Sequence, residues 1–181
     1  MTSSTDSHFT ALEAWVAESC EFALACDMRF ASRERGILGQ FEVGMGAIPG
    51  GNPMARLAGL MGRGRGLEVI LGANDFSADL AERYGYVNRA LPDDEIEAFV
   101  DSLAGRLASF EKHALVGAKA LMNEVTLPPD TVFQHALTAF FASTTHSGTR
   151  ARGAALIERG LQRRSDTEMH LGQAVAEYPS M

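Results

Sequence analysis

The fold of this chain is decided by residues 20–32, which read Cys20-Glu21-Phe22-Ala23-Leu24-Ala25-Cys26-Asp27-Met28-Arg29-Phe30-Ala31-Ser32. The first part of this stretch continues a helical pattern of apolar residues, whereas residues 27–31 alternate polar and apolar side chains. A short alternating run of this kind is typical of a β-strand. We therefore predict a helix that leads directly into a strand, followed by a polar connection over residues 32–36.

A capping box indicates where that helix begins. Thr10-Ala11-Leu12-Glu13 places a hydroxyl residue three positions before a glutamate, and Leu12, Trp15 and Val16 then share one helical face. The pattern predicts a helix from about Thr10 to Cys26, preceded by a disordered, polar start over residues 1–9.

A glycine-rich stretch lies downstream and reads Gly44-Met45-Gly46-Ala47-Ile48-Pro49-Gly50-Gly51. It ends at Asn52-Pro53, where the asparagine can cap a helix and the proline suits the first helical position. Ser77 predicts the start of a further helix and Gly85 its end. Residues 86–91 are then predicted to form a second strand. Since two or three strands make a marginal sheet, we expect others from the N-terminal residues or from another chain.

From Pro92 onward the apolar periodicity is that of helices. A helix capped by Asp130 has a broad apolar stripe, and that stripe fits either a core or an interface between subunits. A last helix is predicted over residues 148–161, and nothing in the sequence anchors the tail after Arg163. The stripe contains Phe133, Leu137, Phe140 and Phe141.

Composition excludes several classes of function. The net charge is −7 and the basic residues are scattered, which gives no electrostatic basis for binding nucleic acid or an anionic membrane. Cys20 and Cys26 lie on different turns of the predicted helix, so we expect free thiols and a reducing cytoplasm. No run of residues is apolar enough to cross a membrane. No metal is predicted, because none of the histidines has ligand spacing: His8, His113, His135, His146 and His170.

The segment over residues 20–32 resembles the helix-to-strand motif of the crotonase superfamily, the enoyl-CoA hydratase/isomerase family. Gly39-Gln40-Phe41-Glu42-Val43-Gly44, followed by Ile48-Pro49-Gly50-Gly51, resembles the second signature of that family. Further blocks over residues 62–68, 77–82 and 85–90 match in the same order. The resemblance covers about residues 15–163 and does not include the opening strands of the family, so the chain looks like an N-terminally truncated crotonase subunit.

The resemblance implies an α/β fold, a partial spiral of ββα units that is rich in helices. Residues 10–125 would form the partial core, and residues 126–163 would form a helical region that joins subunits into trimers or hexamers. Residues 164–181 would be a polar tail. The implied substrate is an acyl-CoA thioester, with coenzyme A as part of the substrate and no separate cofactor.

Two glutamates match the carboxylates of the family, Glu21 and Glu42. Hydration needs a base that activates water and an acid that protonates the α-carbon, and two carboxyl groups in one site can divide these tasks. Ile48, Pro49, Gly50 and Gly51 would line the pocket wall. Outside the matched motifs, either glutamate would more readily be read as an ordinary solvated side chain.

The thioester carbonyl gains negative charge as an enolate forms, so the site also needs backbone N–H donors. By the resemblance, one donor falls at Glu18. If the helix begins at Thr10, however, Glu18 lies in mid-helix and its N–H is already bonded. The family's other donor comes from strands that residues 1–14 do not resemble.

The sequence thus favours an enoyl-CoA hydratase that acts through Glu21 and Glu42 and is impaired by the missing segment. The alternative functions are a catalytically silent oligomerisation or acyl-CoA-binding module, or one part of a split crotonase.

Overall fold

Three parallel strands form the central sheet in a computed structural model, which describes residues 9–12 and 17–178. They are β1 (Phe9–Leu12), β2 (Met28–Ser32) and β5 (Arg89–Leu91), with β2 in the middle. Ala11 lies opposite Phe30, and Ala31 lies opposite Ala90. A separate antiparallel pair joins β3 (Ile37–Leu38) to β4 (Phe76–Ser77).

Helices make up most of the described residues, which confirms the predicted helix-rich α/β class. They are α1 (Ala17–Ala25), α2 (Glu42–Met45), α3 (Pro53–Gly72), α4 (Ala78–Tyr84), α5 (Ile96–Ala108), α6 (Lys112–Thr126), α7 (Asp130–Thr144), α8 (Ser147–Arg159), α9 (Asp166–Met169) and α10 (Leu171–Ala176). None of the helices in residues 17–178 is both long and apolar enough to cross a membrane.

Local capping signals are confirmed. Asn52 accepts a hydrogen bond from the N–H of Ala55 at 3.3 Å, and Pro53 is the first residue of α3. Ser77 caps α4 through the N–H of Leu80 at 3.4 Å, and Gly85 ends α4 with a φ of 83°. Each signal depends on residues within one turn of the helix end, so the sequence alone determines it.

The predicted start of the first helix is wrong. Thr10 and Leu12 belong to β1, which pairs with β2 along its whole length, and the described residues of α1 are Ala17–Ala25. Pairing with a strand that is distant in sequence therefore outweighs the capping-box pattern. Trp15 and Val16 lie outside the described residues. The expectation that N-terminal residues supply a further strand is confirmed.

The second predicted strand is shorter than expected. Only Arg89–Leu91 pairs with β2, whereas the N–H groups of Tyr86 and Val87 both donate to the carbonyl of Ala81 at the end of α4. Tyr86 and Val87 are fully buried in the core between the sheet and α3. Their apolar pattern thus reflects a buried turn and not an extended strand.

The expectation of an unanchored tail after Arg163 is also wrong. Helices α9 and α10 pack on α2 and α8, and the buried residues of this second core include Leu156, Leu171 and Val175. The N–H of Gly172 donates to both carboxylate oxygens of Asp75 at 3.0 Å. A side chain at position 172 would meet the backbone of residues 74 and 75, so this close approach requires glycine.

The bond between Asp75 and Gly172 predicts the strength of this anchor. Asp75→Ala should lower the free energy of unfolding by about 1–2 kcal/mol, because it leaves the Gly172 N–H without its charged acceptor. It should also accelerate proteolysis within residues 164–178. Urea unfolding and limited digestion measure the two effects.

Asp79→Ala is the matched control, since Asp79 forms an exposed ion pair with Arg33 at 3.1 Å. Exposed pairs contribute at most about 1 kcal/mol, and the tail is not involved. Equal rates of tail digestion in both variants would contradict the assigned anchor.

Candidate functional site

Glu21 projects from α1 toward the turn that precedes α3. The N–H of Gly51 donates to both of its carboxylate oxygens, at 3.1 and 3.0 Å. A Cβ at position 51 would collide with that carboxylate, so only glycine allows the contact. Partial burial raises the pKa of Glu21, and the hydrogen bond from Gly51 opposes the shift.

Glu42 is the first residue of α2 and is only 8% exposed. Its Oε2 atom has no hydrogen-bond partner among the described residues. Burial raises the pKa of Glu42 to about 7; its own backbone N–H lowers that pKa, and the negative charge of Glu21 raises it. The structure therefore places the two glutamates close enough for the charge of one to act on the other.

This arrangement supports proton transfer at neutral pH. A carboxyl group whose pKa lies near 7 is present in both its protonated and its ionised form, which suits general acid–base catalysis. The neighbouring carboxylate of Glu21 is stabilised in its charged form by the Gly51 N–H. Together the two groups can donate and accept a proton within one site.

Glu18 belongs to α1, whose described residues are Ala17–Ala25. The four residues before that helix lie outside the described part of the chain, so the donor at Glu18 stays a prediction.

The predicted pocket wall follows Glu42 and is supported by α7. The N–H of Ile48 donates to the hydroxyl of Ser143 at 3.0 Å, and Pro49 is fully buried. Gly50 faces the ring of Phe140. Of these four residues, Ile48 and Gly51 are exposed. The structure brings Gly51 against Glu21.

Sequence reasoning missed three residues around this wall. Ser143 and Phe140 come from a helix more than 90 positions away. No local pattern marks Ser143, and the apolar stripe that contains Phe140 does not indicate its contact with Gly50. Asn52 was identified only as a cap, yet it is 2% exposed and its Nδ2 atom has no partner among the described residues. A buried amide of this kind is a signal only the folded chain reveals.

Across residues 17–178, no group of three or more His, Cys, Asp and Glu side chains could bind a metal ion. Cys20 and Cys26 are buried, and neither forms a disulfide.

Comparison with known proteins gives a consistent family. A model of the enoyl-CoA hydratase/isomerase family matches residues 14–162. The crotonyl-CoA hydratase of Syntrophomonas wolfei is 37% identical over 105 residues, which are 58% of this chain and 40% of that protein. The short-chain-enoyl-CoA hydratase of Clostridium acetobutylicum is 35% identical over 104 residues, again 58% and 40% of the two chains.

Solved structures show the same relationship. A candidate enoyl-CoA hydratase from Streptomyces avermitilis superposes with a TM-score of 0.91 at 43% identity, over 95% of this chain and 62% of that chain. An enoyl-CoA hydratase from Mycobacterium avium subsp. paratuberculosis gives a TM-score of 0.75 at 25% identity, over 83% and 61% of the chains. The chain thus spans less than two thirds of each of these relatives.

The raised pKa of Glu42 predicts how stability depends on pH. Between the ordinary value of 4.5 and about 7, folded Glu42 retains its proton while unfolded Glu42 has lost it. The contribution of Glu42 to the free energy of unfolding is therefore fully present below pH 4.5. About 1–3 kcal/mol of it is lost as the pH rises through 7.

Glu42→Gln should remove this loss, because an amide does not ionise. Urea unfolding at pH 5 and pH 8 measures it, with Glu124→Gln at an exposed position of α6 as the control. An unchanged pH dependence in Glu42→Gln would show that Glu42 ionises normally in the folded chain.

Proposed function

The chain belongs to the enoyl-CoA hydratase/isomerase family, and we propose that it adds water to a 2-enoyl-CoA thioester with Glu21 and Glu42 as the acid–base pair. The observation that supports this reaction most directly is the placement of the two carboxyl groups: Glu42 is buried with one oxygen unbonded by the described residues, and the carboxylate of Glu21 is held by the N–H of Gly51. Hydration delivers a hydroxyl and a proton to neighbouring carbons, so a site with one proton donor and one proton acceptor suits it.

The environments of the two glutamates suggest their tasks. Glu42 is the more deeply buried, and its raised pKa lets it retain a proton at neutral pH, so it serves as the acid that protonates the α-carbon. Glu21 accepts the Gly51 N–H, which favours its ionised form, so it serves as the base that activates water. The two carboxyl groups act in concert on one water molecule.

The developing enolate requires hydrogen-bond donors at the thioester oxygen. The backbone N–H of Glu18 is one candidate donor, because Glu18 matches the position that supplies this donor in the family motif. Coenzyme A enters as part of the substrate and no further cofactor is required. We expect a reducing cytoplasm, because Cys20 and Cys26 are buried and form no disulfide.

A homo-oligomer, a trimer or hexamer, is proposed from the apolar face of α6 and α7. The apolar stripe predicted on α7 is partly covered and partly exposed. The Cζ atom of Arg56 lies 4.9 Å from the centre of the Phe133 ring, whereas Leu137 is 47% exposed and Phe141 is 60% exposed. Exposed apolar residues continue on α6 and beyond it, and they include Leu121, Met122, Val125 and Leu127. Large apolar side chains exposed on two consecutive helices favour association between subunits.

The same face favours a second candidate function, a catalytically silent module that oligomerises or binds acyl-CoA. One part of a split enzyme is a related possibility, since the chain spans 40% of the Syntrophomonas relative. In these cases the carboxyl pair persists without sufficient oxyanion stabilisation, and hydration is impaired.

Turnover of crotonyl-CoA tests the proposal. Loss of the enoyl thioester absorbance should be catalysed by the protein, and Glu21→Gln or Glu42→Gln should each lower kcat by at least about 100-fold, because an amide cannot transfer the proton. Glu124→Gln, remote on α6, should retain the wild-type rate.

Retained turnover in both glutamine variants would contradict the acid–base assignment. If the wild-type protein shows no turnover but binds crotonyl-CoA, or has an oligomeric mass in solution, the module is favoured over the enzyme.

A further inference from the structure

Three buried polar residues lie behind the carboxylates: Cys20, Gln40 and Tyr86. Their exposures are 1%, 1% and 0%. Cys20 directly precedes Glu21 on α1, and Gln40 comes two positions before Glu42. Tyr86 reaches them from the turn after α4, far along the chain. Their positions connect the two segments that bear the glutamates.

A hydrogen bond and a close approach link these residues into one path. The Nε2 of Gln40 donates to the hydroxyl of Tyr86 at 2.9 Å. The thiol of Cys20 lies beside the hydroxyl of Tyr86 and the backbone N–H of Gly39. The path therefore runs from the helix of Glu21, through Tyr86, to the segment that leads into Glu42.

Neither of the two titratable groups in the path, Cys20 and Tyr86, is suited to carry protons. Burial raises the pKa of the Cys20 thiol to about 11 and raises the pKa of Tyr86 further above its ordinary value. Both groups keep their protons at neutral pH, so they act by fixing geometry. A buried hydroxyl, thiol and amide in an apolar core each cost free energy unless they have a polar partner. The three side chains therefore favour the one arrangement in which they meet.

We infer that Tyr86 is a positioning residue whose hydroxyl, bonded to Gln40 and adjacent to Cys20, fixes the placement of Glu42 relative to Glu21. The inference deepens the proposed function and rests on it for its kinetic consequence. Its structural consequence, the burial of Glu42, can be measured whether or not the chain turns over substrate.

Several charged groups surround Glu42. Glu21 acts on it from α1, and Arg152 of α8 donates to the carbonyl of Gly44 at 3.4 Å. Arg56 of α3 donates to the carbonyl of Leu24 instead, and α10 contributes no charged side chain. Asp75 acts on Cys20. Removing the Tyr86 hydroxyl changes none of these charges, so a shift in the titration of Glu42 reports its placement.

Tyr86→Phe tests the inference because it removes one oxygen and retains the ring. The freed Gln40 amide can turn toward Glu42, or water can enter beside it, and either change favours the carboxylate. The pKa of Glu42, followed by carboxyl ¹³C NMR and assigned with Glu42→Gln, should fall toward 4.5. In crotonyl-CoA hydration, kcat should fall about 10-fold to 100-fold while KM changes by less than about two-fold.

Val69→Ala is the matched control, since Val69 is buried in the same core cluster and lies outside the hydrogen-bond path. It should destabilise the fold without moving the titration of Glu42. Cys20→Ala removes the thiol at the other end of the path and should lower the pKa of Glu42 as Tyr86→Phe does. Cys20→Ser keeps an acceptor at that position, so the pKa of Glu42 should fall less than in Cys20→Ala.

An unchanged Glu42 titration in both Tyr86→Phe and Cys20→Ala would overturn the inference, as would an equal shift in Val69→Ala. Absence of turnover in the wild-type protein would instead count against the proposed function alone, because the titration of Glu42 still decides the role of Tyr86.

Discussion

The candidate site depends on one backbone hydrogen bond, in which the N–H of Gly51 donates to both carboxylate oxygens of Glu21. This contact joins α1 to the turn that opens α3, and it requires a residue without a side chain at position 51. Because Glu21 is fixed in this way, its charge acts on the buried carboxyl of Glu42. Two segments that are separate in sequence thereby hold the two glutamates of the proposed acid–base pair.

The remainder of the fold supports this pair from two sides. Tyr86 connects the segments behind the glutamates through Gln40 and Cys20, and the hydroxyl of Ser143 on α7 fixes the wall at Ile48. On the far side of α2, helix α10 packs through Val175, and Asp75 binds its first turn. Burial of Glu42, and with it the pKa near neutrality, is therefore a property of the whole chain.

Sequence patterns were sufficient where the physical cause is local. The cap at Asn52, the proline after it and the stop at Gly85 each depend on a single helix end, and all three were predicted. Glu21 and Glu42 were found through motifs that resemble a family. The strand at Thr10, the anchored tail and the contacts of Tyr86 and Ser143 were missed, because each depends on a partner far away in the chain. In the sequence, a buried turn that contains a tyrosine and a strand show the same apolar pattern. Only the residues that pack or pair with the segment distinguish the two.

The central claim is that Glu21 and Glu42 are electrostatically coupled in one site. It is tested most directly by comparing the carboxyl titration of Glu42 in the wild-type protein and in Glu21→Gln. If the two carboxyl groups share the site, neutralising Glu21 lowers the pKa of Glu42, since a like charge no longer opposes its ionisation. An identical titration of Glu42 in the two proteins would contradict the account.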